Sequence, residues 1–176
     1  SVGKPIPCCE VKIVDEDENG EGEILVRGDN VMLGYYKNEA ETGKVMRDGW
    51  FCTGDLGHID SEGYLFITGR KRNLIVLSNG KNIYPEEIED FIRLNIPYIL
   101  EIVVYAPLEE GMNERSLVAE VYLGDGPERT RAEESLEQDF AAVNRSLPVF
   151  KRIKRINVRD TEFEKTTKKS IKRFTV

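Results

Sequence analysis

Histidine occurs once in the chain, at His58, and tryptophan once, at Trp50. A single imidazole cannot build a multi-histidine zinc site or, from its ordinary alternating strand context, suggest a Ser-His-Asp triad. The three cysteines, Cys8, Cys9 and Cys52, have neither metal-site spacing nor an even disulfide count, and Cys8-Cys9 are adjacent, too close for ordinary bridging. They read as small buried or half-buried side chains in a reducing compartment. Long apolar runs are also missing: no stretch approaches the roughly 18 to 20 residues of a membrane span. Ser1-Val2-Gly3-Lys4-Pro5 has none of the apolar core of a signal peptide. These absences argue against membrane insertion and secretion, and the expectation is a cytoplasmic protein, or one held peripherally at a membrane surface.

What is present is an ordinary globular composition, 176 residues with 40% hydrophobic and 32% charged, enough for one large or two small cores. The net charge of −7 is unevenly spread. Residues 151–176 hold ten basic and three acidic side chains, a net +7, which leaves −14 on residues 1–150. A basic tail on an acidic body favours an anion at the tail. With only Phe163 and Phe174 available for stacking there, and no reader motif, a phosphate-bearing small molecule is favoured over nucleic acid. A solvated charged end is the plainer alternative.

Patterning predicts two domains. Glu10 to Asp15 alternates with period two, Asn19-Gly20 signals a turn, and Gly22 to Arg27 resumes an extended run. Leu56 to Ile59 and Tyr64 to Ile67 form a second strand pair around Asp60-Ser61-Glu62-Gly63. Residues 1–70 therefore read as a small antiparallel, barrel-like β subdomain. From about Lys71 strands and helices alternate. Residues 78–82 read as a turn, Tyr84-Pro85-Glu86-Glu87 opens a helix, and Ile88, Phe91 and Ile92 form its apolar stripe. Residues 100–105 and 117–123 read as strands flanking a loop from Pro107 to Arg115. Leu136, Phe140, Val143 and Leu147 mark a helical face that ends at Pro148, and residues 152–158 read as a last strand. The fold class is α+β, with a compact α+β domain over 71–176.

Asp15-x-Asp17-x-Asn19-Gly20 matches the first half of an EF-hand loop, but position twelve is Val26 rather than Glu and the flanks read as strands, so it is an acidic hairpin turn. Asn144-Arg145-Ser146 is a formal glycosylation sequon, read as chance without a secretory signal. Thr53-Gly54-Asp55 carries more. It sets a carboxylate on a glycine-loosened turn suited to the vicinal hydroxyls of a ribose, although a turn-capping aspartate has the same pattern. Downstream lie Gly63-Tyr64-Leu65-Phe66-Ile67-Thr68-Gly69-Arg70-Lys71-Arg72-Asn73-Leu74-Ile75 and then Ser78-Asn79-Gly80-Lys81-Asn82-Ile83-Tyr84-Pro85-Glu86-Glu87-Ile88-Glu89.

At these residues the chain resembles the C-terminal part of the adenylate-forming, AMP-binding superfamily: acyl-CoA synthetases, luciferases and the adenylation domains of peptide synthetases. The likeness runs from Val2-Gly3-Lys4-Pro5 through Gly34-Tyr35-Tyr36-Lys37-Asn38 to Phe163-Glu164-Lys165-Thr166-Thr167. Residues 76–85 look most like the long-chain fatty acyl-CoA ligases. The resemblance implies two half-reactions: a carboxylate and Mg·ATP give an acyl-adenylate, which the thiol of coenzyme A then attacks, with the small domain swinging on a hinge between them. It further implies that Asp55 binds the ribose hydroxyls, Arg70 contacts the ribose or phosphate region, Lys71 is the hinge, and Gly80-Lys81 face coenzyme A. Without the resemblance, Arg70 and Lys71 read as solvated strand ends and Gly80 as a turn residue.

The family's upstream phosphate loop, magnesium-holding segment and acyl pocket do not occur in these residues. The expectation is a large-domain subdomain joined to the small domain, lacking the N-terminal large domain and inactive alone. The tail departs from the family's pattern, because Ile171 and Arg173 set a register that puts Ser170 where the family has an adenylation lysine. Lys169 or Lys168 would have to substitute, against the reversal of side-chain direction that a one-residue shift brings in an extended segment. Two alternatives stay open: an adenylation domain that loads a carrier protein, and a non-catalytic nucleotide-binding or regulatory homologue, which the serine favours.

Overall fold

The alternating residues after Cys8 form strand β1 (Cys9–Val14), which pairs antiparallel with β2 (Gly22–Gly28) in a register running from Cys9 opposite Gly28 to Val14 opposite Glu23. The computed structural model describes residues 1–107, 115–167 and 169–173; most of the expected loop from Pro107 to Arg115, together with Lys168 and Phe174, lies outside them. The chain divides into two compact units, Ser1–Leu74 and Ile75–Val176.

In the first unit the β1–β2 connection is organised by Asp17, whose Oδ1 accepts the N–H groups of Asn19 at 2.9 Å and Glu21 at 3.2 Å. The acidic run is thus a turn whose central carboxylate caps backbone donors, the Asx geometry that Asp adopts readily. The ten-residue β4 (Trp50–Ile59) is the central strand; it pairs antiparallel with β2, with the short β3 (Met46–Arg47) and with β5 (Leu65–Arg70). Ile24, Leu25, Cys52 and Leu56 are buried in this sheet.

One helix has no counterpart in the patterning, α1 (Glu39–Val45), whose start is fixed by Asn38 Oδ1 accepting the Glu41 N–H at 3.1 Å. Its sequence signal is Asn38 three residues before Glu41, with acids in the first turn and Lys44 in the last. The absence of any buried residue on this helix explains why no apolar periodicity announces it.

The second unit opens with the two-residue strands β6 (Ile75–Val76) and β7 (Asn82–Ile83), then α2 (Pro85–Asn95) with proline in its first turn as expected. Strands β8 (Glu101–Tyr105), β9 (Val118–Tyr122) and β10 (Arg155–Arg159) form a sheet ordered β10-β9-β8. β8 and β9 are antiparallel, whereas β9 and β10 are parallel, joined through α3 (Pro127–Ser146). A parallel pair needs such a crossover, which accounts for the long helix. Ile83, Ile88, Ile92 and Ile96 pack with Ile102, Val104, Ala119 and Val121 and with Ala132, Leu136 and Phe140 of α3. The mixed α+β architecture agrees with the sequence expectation.

The sequon asparagine has a structural task. Asn144 donates to the Ile153 carbonyl at 2.8 Å and accepts the Ile153 N–H at 2.9 Å, tying the end of α3 to the segment that enters β10. Asn144→Ala removes both partners of partly buried backbone groups and should cost about 1–3 kcal/mol. Urea unfolding followed by a probe in the second unit measures this; an unchanged midpoint would contradict it.

Candidate functional site

Asp55 lies within β4, not on a turn as the sequence suggested, and the glycine before it does the loosening inside the strand. Gly54 has φ +71°, and pairing with β2 shifts register between Glu23 and Leu25. Thr53 Oγ1 donates to the Ile24 carbonyl at 2.8 Å and accepts the Asp55 N–H at 3.0 Å, closing the bulge. Bulges re-aim single side chains, and this one turns Asp55. Across the ladder Asp55 faces Arg70, whose Nη1 lies 2.6 Å from Asp55 Oδ1. Burial holds the Asp55 carboxyl above its ordinary pKa, with the Arg70 charge opposing. Two carboxylate oxygens offer about four lone-pair sites, so a carboxylate bonded to one guanidinium nitrogen retains capacity for a pair of hydroxyl donors.

β5 ends at Arg70, and a 3₁₀ turn, Lys71–Asn73, comes next. Lys71 Nζ lies 2.6 Å from Glu23 Oε2, and Glu23 is 5% exposed. Arg70 and Lys71 are exposed, as a strand end would be, and each is also ion-paired: Arg70 with Asp55 of the adjacent β4 and Lys71 with Glu23 of β2. Sequence reasoning passed over Glu23; its signal was a carboxylate opening the apolar run Ile24-Leu25-Val26. A second tie lies alongside. Glu21 takes Thr68 Oγ1 at 2.8 Å and His58 Nδ1 at 2.7 Å, while the His58 ring stacks on Phe66. The single histidine thus holds β4 and β5 together.

In the second unit the Ser78–Asn82 turn is closed by Gly80 N–H to the Leu77 carbonyl at 2.9 Å and Leu77 N–H to the Lys81 carbonyl at 3.0 Å, with Gly80 at φ +79°. The Lys81 ammonium sits 4.1 Å from the centroid of Phe150. The tail turn has different anchors. Thr166 N–H donates to the Ser170 carbonyl at 2.8 Å, Lys169 N–H to the Thr166 carbonyl at 2.9 Å and Lys172 N–H to the Glu164 carbonyl at 2.8 Å. The Thr166 and Ser170 hydroxyls are 2.7 Å apart, and Lys169 has φ +60°. These bonds among Thr166, Lys169 and Ser170 close a turn and not an extended segment, so strict alternation of side-chain direction does not govern Lys169 and Ser170. Lys168 lies outside the described residues.

A sequence profile of the AMP-binding enzyme C-terminal domain matches residues 72–176, and one of the AMP-binding enzyme family matches residues 1–36. The chain belongs to the AMP-binding enzyme family. Among curated members of the AMP-binding family, an indoleacetate–CoA ligase of Aromatoleum aromaticum is 44% identical over 119 residues, 65% of this chain and 23% of that protein. A long-chain-fatty-acid–CoA ligase of Mycobacterium tuberculosis is 47% identical over 104 residues, 59% of this chain and 16% of that protein. Among solved structures, an O-succinylbenzoate coenzyme A synthetase of Bacillus subtilis in complex with AMP matches with TM-score 0.81 and 28% identity over 99% of this chain and 34% of that one. The amide bond synthetase McbA of Marinactinospora thermotolerans matches with TM-score 0.77 and 26% identity over 99% of this chain and 35% of that one. The chain thus spans about a quarter of the first of these curated relatives and about a third of the solved AMP-binding enzymes.

Among the described residues no three His, Cys, Asp or Glu side chains converge as ligands, and Asp55 is paired with Arg70. No helix among the described residues is long and apolar enough to cross a membrane.

Lys71→Met leaves the buried Glu23 carboxylate without its ammonium. With Lys71 half exposed, the first unit should lose about 1–3 kcal/mol, below the full cost of breaking a buried pair. Adding Glu23→Gln should recover most of the loss. Thermal unfolding of both variants checks this, and a double variant no better than Lys71→Met would count against it.

Proposed function

We propose that this chain is the C-terminal part of an ATP-dependent acyl-CoA ligase, in which a carboxylic acid is activated as its acyl-adenylate and passed to coenzyme A. The observation that carries the reading is Asp55, next to the Gly54 bulge in β4 and set against Arg70: an acceptor for ribose hydroxyls beside a cation for phosphate. In this reading residues 1–70 are the last β subdomain of the large AMP-binding domain and residues 71–176 the mobile small domain, with Lys71 as the hinge. Gly80 and Lys81 face coenzyme A, and the 166–170 turn brings Lys169 and Ser170 to the phosphate region. ATP with Mg²⁺, the carboxylic acid and coenzyme A are the reactants. The phosphate loop, the metal ligands and the acyl pocket belong to the N-terminal large domain, without which this chain makes no product.

A long-chain fatty acid is the finer proposal for the substrate, supported by residues 76–85 and by the Mycobacterium tuberculosis relative. The indoleacetate relative marks the aryl acid as the competing choice. The amide bond synthetase similarity makes an amine the competing acceptor. The full-length protein, supplied with ATP, coenzyme A and a panel of both acid types, should release pyrophosphate and form a thioester. A charge-assisted hydrogen bond is worth roughly 1.5–3 kcal/mol, so Asp55→Ala should weaken ATP binding by about one to two orders of magnitude. Unchanged affinity for ATP would remove the ribose role.

A further inference from the structure

The tail is fastened to the second unit at both ends, and the two fastenings differ in kind. Upstream, Phe163 is buried, its N–H donates to Glu101 Oε2 at 2.9 Å, and Lys165 Nζ lies 2.5 Å from Glu101 Oε1 and 2.7 Å from Glu162. Downstream, Arg173 enters the interior. Its guanidinium forks onto Glu89 of α2, with Nη1 2.6 Å from Oε1 and Nη2 on Oε2, and lies 3.7 Å from Glu86. Glu89 is 3% exposed and also accepts the Val104 N–H at 2.7 Å on the edge of β8 that β9 does not cover.

A buried ion pair is a poor source of stability, since desolvation of both charges offsets most of their attraction and an apolar pair of similar volume serves as well. What such a pair supplies is geometry. Apolar anchoring at Ile171 alone would tolerate a slip along the tail, whereas a planar fork on one buried carboxylate admits a single register. A slip of one residue would exchange the places of Lys169 and Ser170. The bonds that shape the turn, Thr166 to Ser170 and Lys172 to Glu164, lie in the segment that leads directly to Arg173.

We infer that Glu89 and Arg173 are positioning residues for the adenylation step, setting which side chain of the 166–170 turn is presented to the nucleotide. The inference rests on the ligase reading above. It assigns no contact with substrate to either residue: both act through the turn. The two carboxylates that hold the tail therefore have separate tasks. Glu101 fixes where the tail leaves the sheet, and Glu89 fixes its register.

The test uses the full-length protein and three variants. Arg173→Lys keeps the charge and loses the fork; Arg173→Met loses both; Glu89→Gln keeps an acceptor for Val104 N–H, so β8 stays capped. Misplacement by about 1 Å costs up to a hundredfold, so adenylate formation should fall roughly ten- to a hundredfold in each variant. Thioester formation from supplied acyl-adenylate should stay within about threefold, because that step does not use the turn. In amide exchange, Thr166, Lys169 and Lys172 should lose protection while α2 and α3 keep theirs. Equal loss of both half-reactions with α2 and α3 also deprotected would reduce the pair to a structural role and overturn the inference, as would undiminished adenylation with an intact turn. If the unaltered protein performs neither half-reaction, the ligase reading fails. Exchange at the turn then decides alone whether Arg173 sets the register: deprotection confined to the turn upholds that part, and unchanged protection overturns it.

Discussion

Two carboxylates in one curled antiparallel sheet hold the end of its last strand, and the local geometry of the proposed nucleotide site depends on them. Asp55 takes Arg70 and Glu23 takes Lys71, so consecutive basic residues are drawn to different strands, β4 and β2. Glu23 is the more constrained of the two, because a buried carboxylate without its ammonium would be costly. The strand end cannot fray into solvent without exposing that cost. The 3₁₀ turn after it, and the passage at Leu74–Ile75 into the second unit, therefore start from a fixed point.

The second unit repeats the device with different residues. Its α2 face is apolar except at Glu89, and that one buried carboxylate caps β8 and receives Arg173 from a segment 84 residues away. Burial keeps the Glu89 carboxyl above its ordinary pKa, opposed by the Arg173 guanidinium and the Val104 N–H. In both units a buried acid from the framework holds a base on the segment to which function is proposed. The framework is rigidly packed, and the presented residues, Arg70 and the 166–170 turn, stay at its surface. Such division is what a site assembled from moving parts requires, since each part must keep its local shape while the whole rearranges.

Much of this was legible in sequence because it rests on local rules. Proline at the start of α2, the stripe at Ile88, Phe91 and Ile92, and the alternation in β1 each name their element without tertiary information. α1 escaped because it buries nothing, so its only marks were caps. Asp55 was placed on a turn instead of in a strand: glycine in a strand with φ +71° reads in sequence like a turn, and only the pairing of β2 with β4 shows a bulge. Glu23 and Glu89 were silent for a different reason. Glu23 only opens an apolar run and Glu89 is one acid among Glu86, Glu87, Glu89 and Asp90, and what makes each consequential is a partner 48 or 84 residues away. The tail shows the same limit. Alternation was the right rule for an extended segment, and hydrogen bonds between Thr166 and Ser170 made the segment a turn.

The central claim is that the chain pivots where the clamped strand ends. Arg70 has φ −107° and ψ 133°, the extended conformation that a succeeding proline requires, and Lys71→Pro fixes φ at the pivot itself. Because proline also removes the Glu23 partner, Lys71→Met is the matched control. In the full-length protein, adenylate formation and thioester formation from that adenylate are measured separately for both variants. The account predicts that proline, relative to methionine, spares adenylation and impairs thioester formation. Equal impairment of the two half-reactions would contradict it.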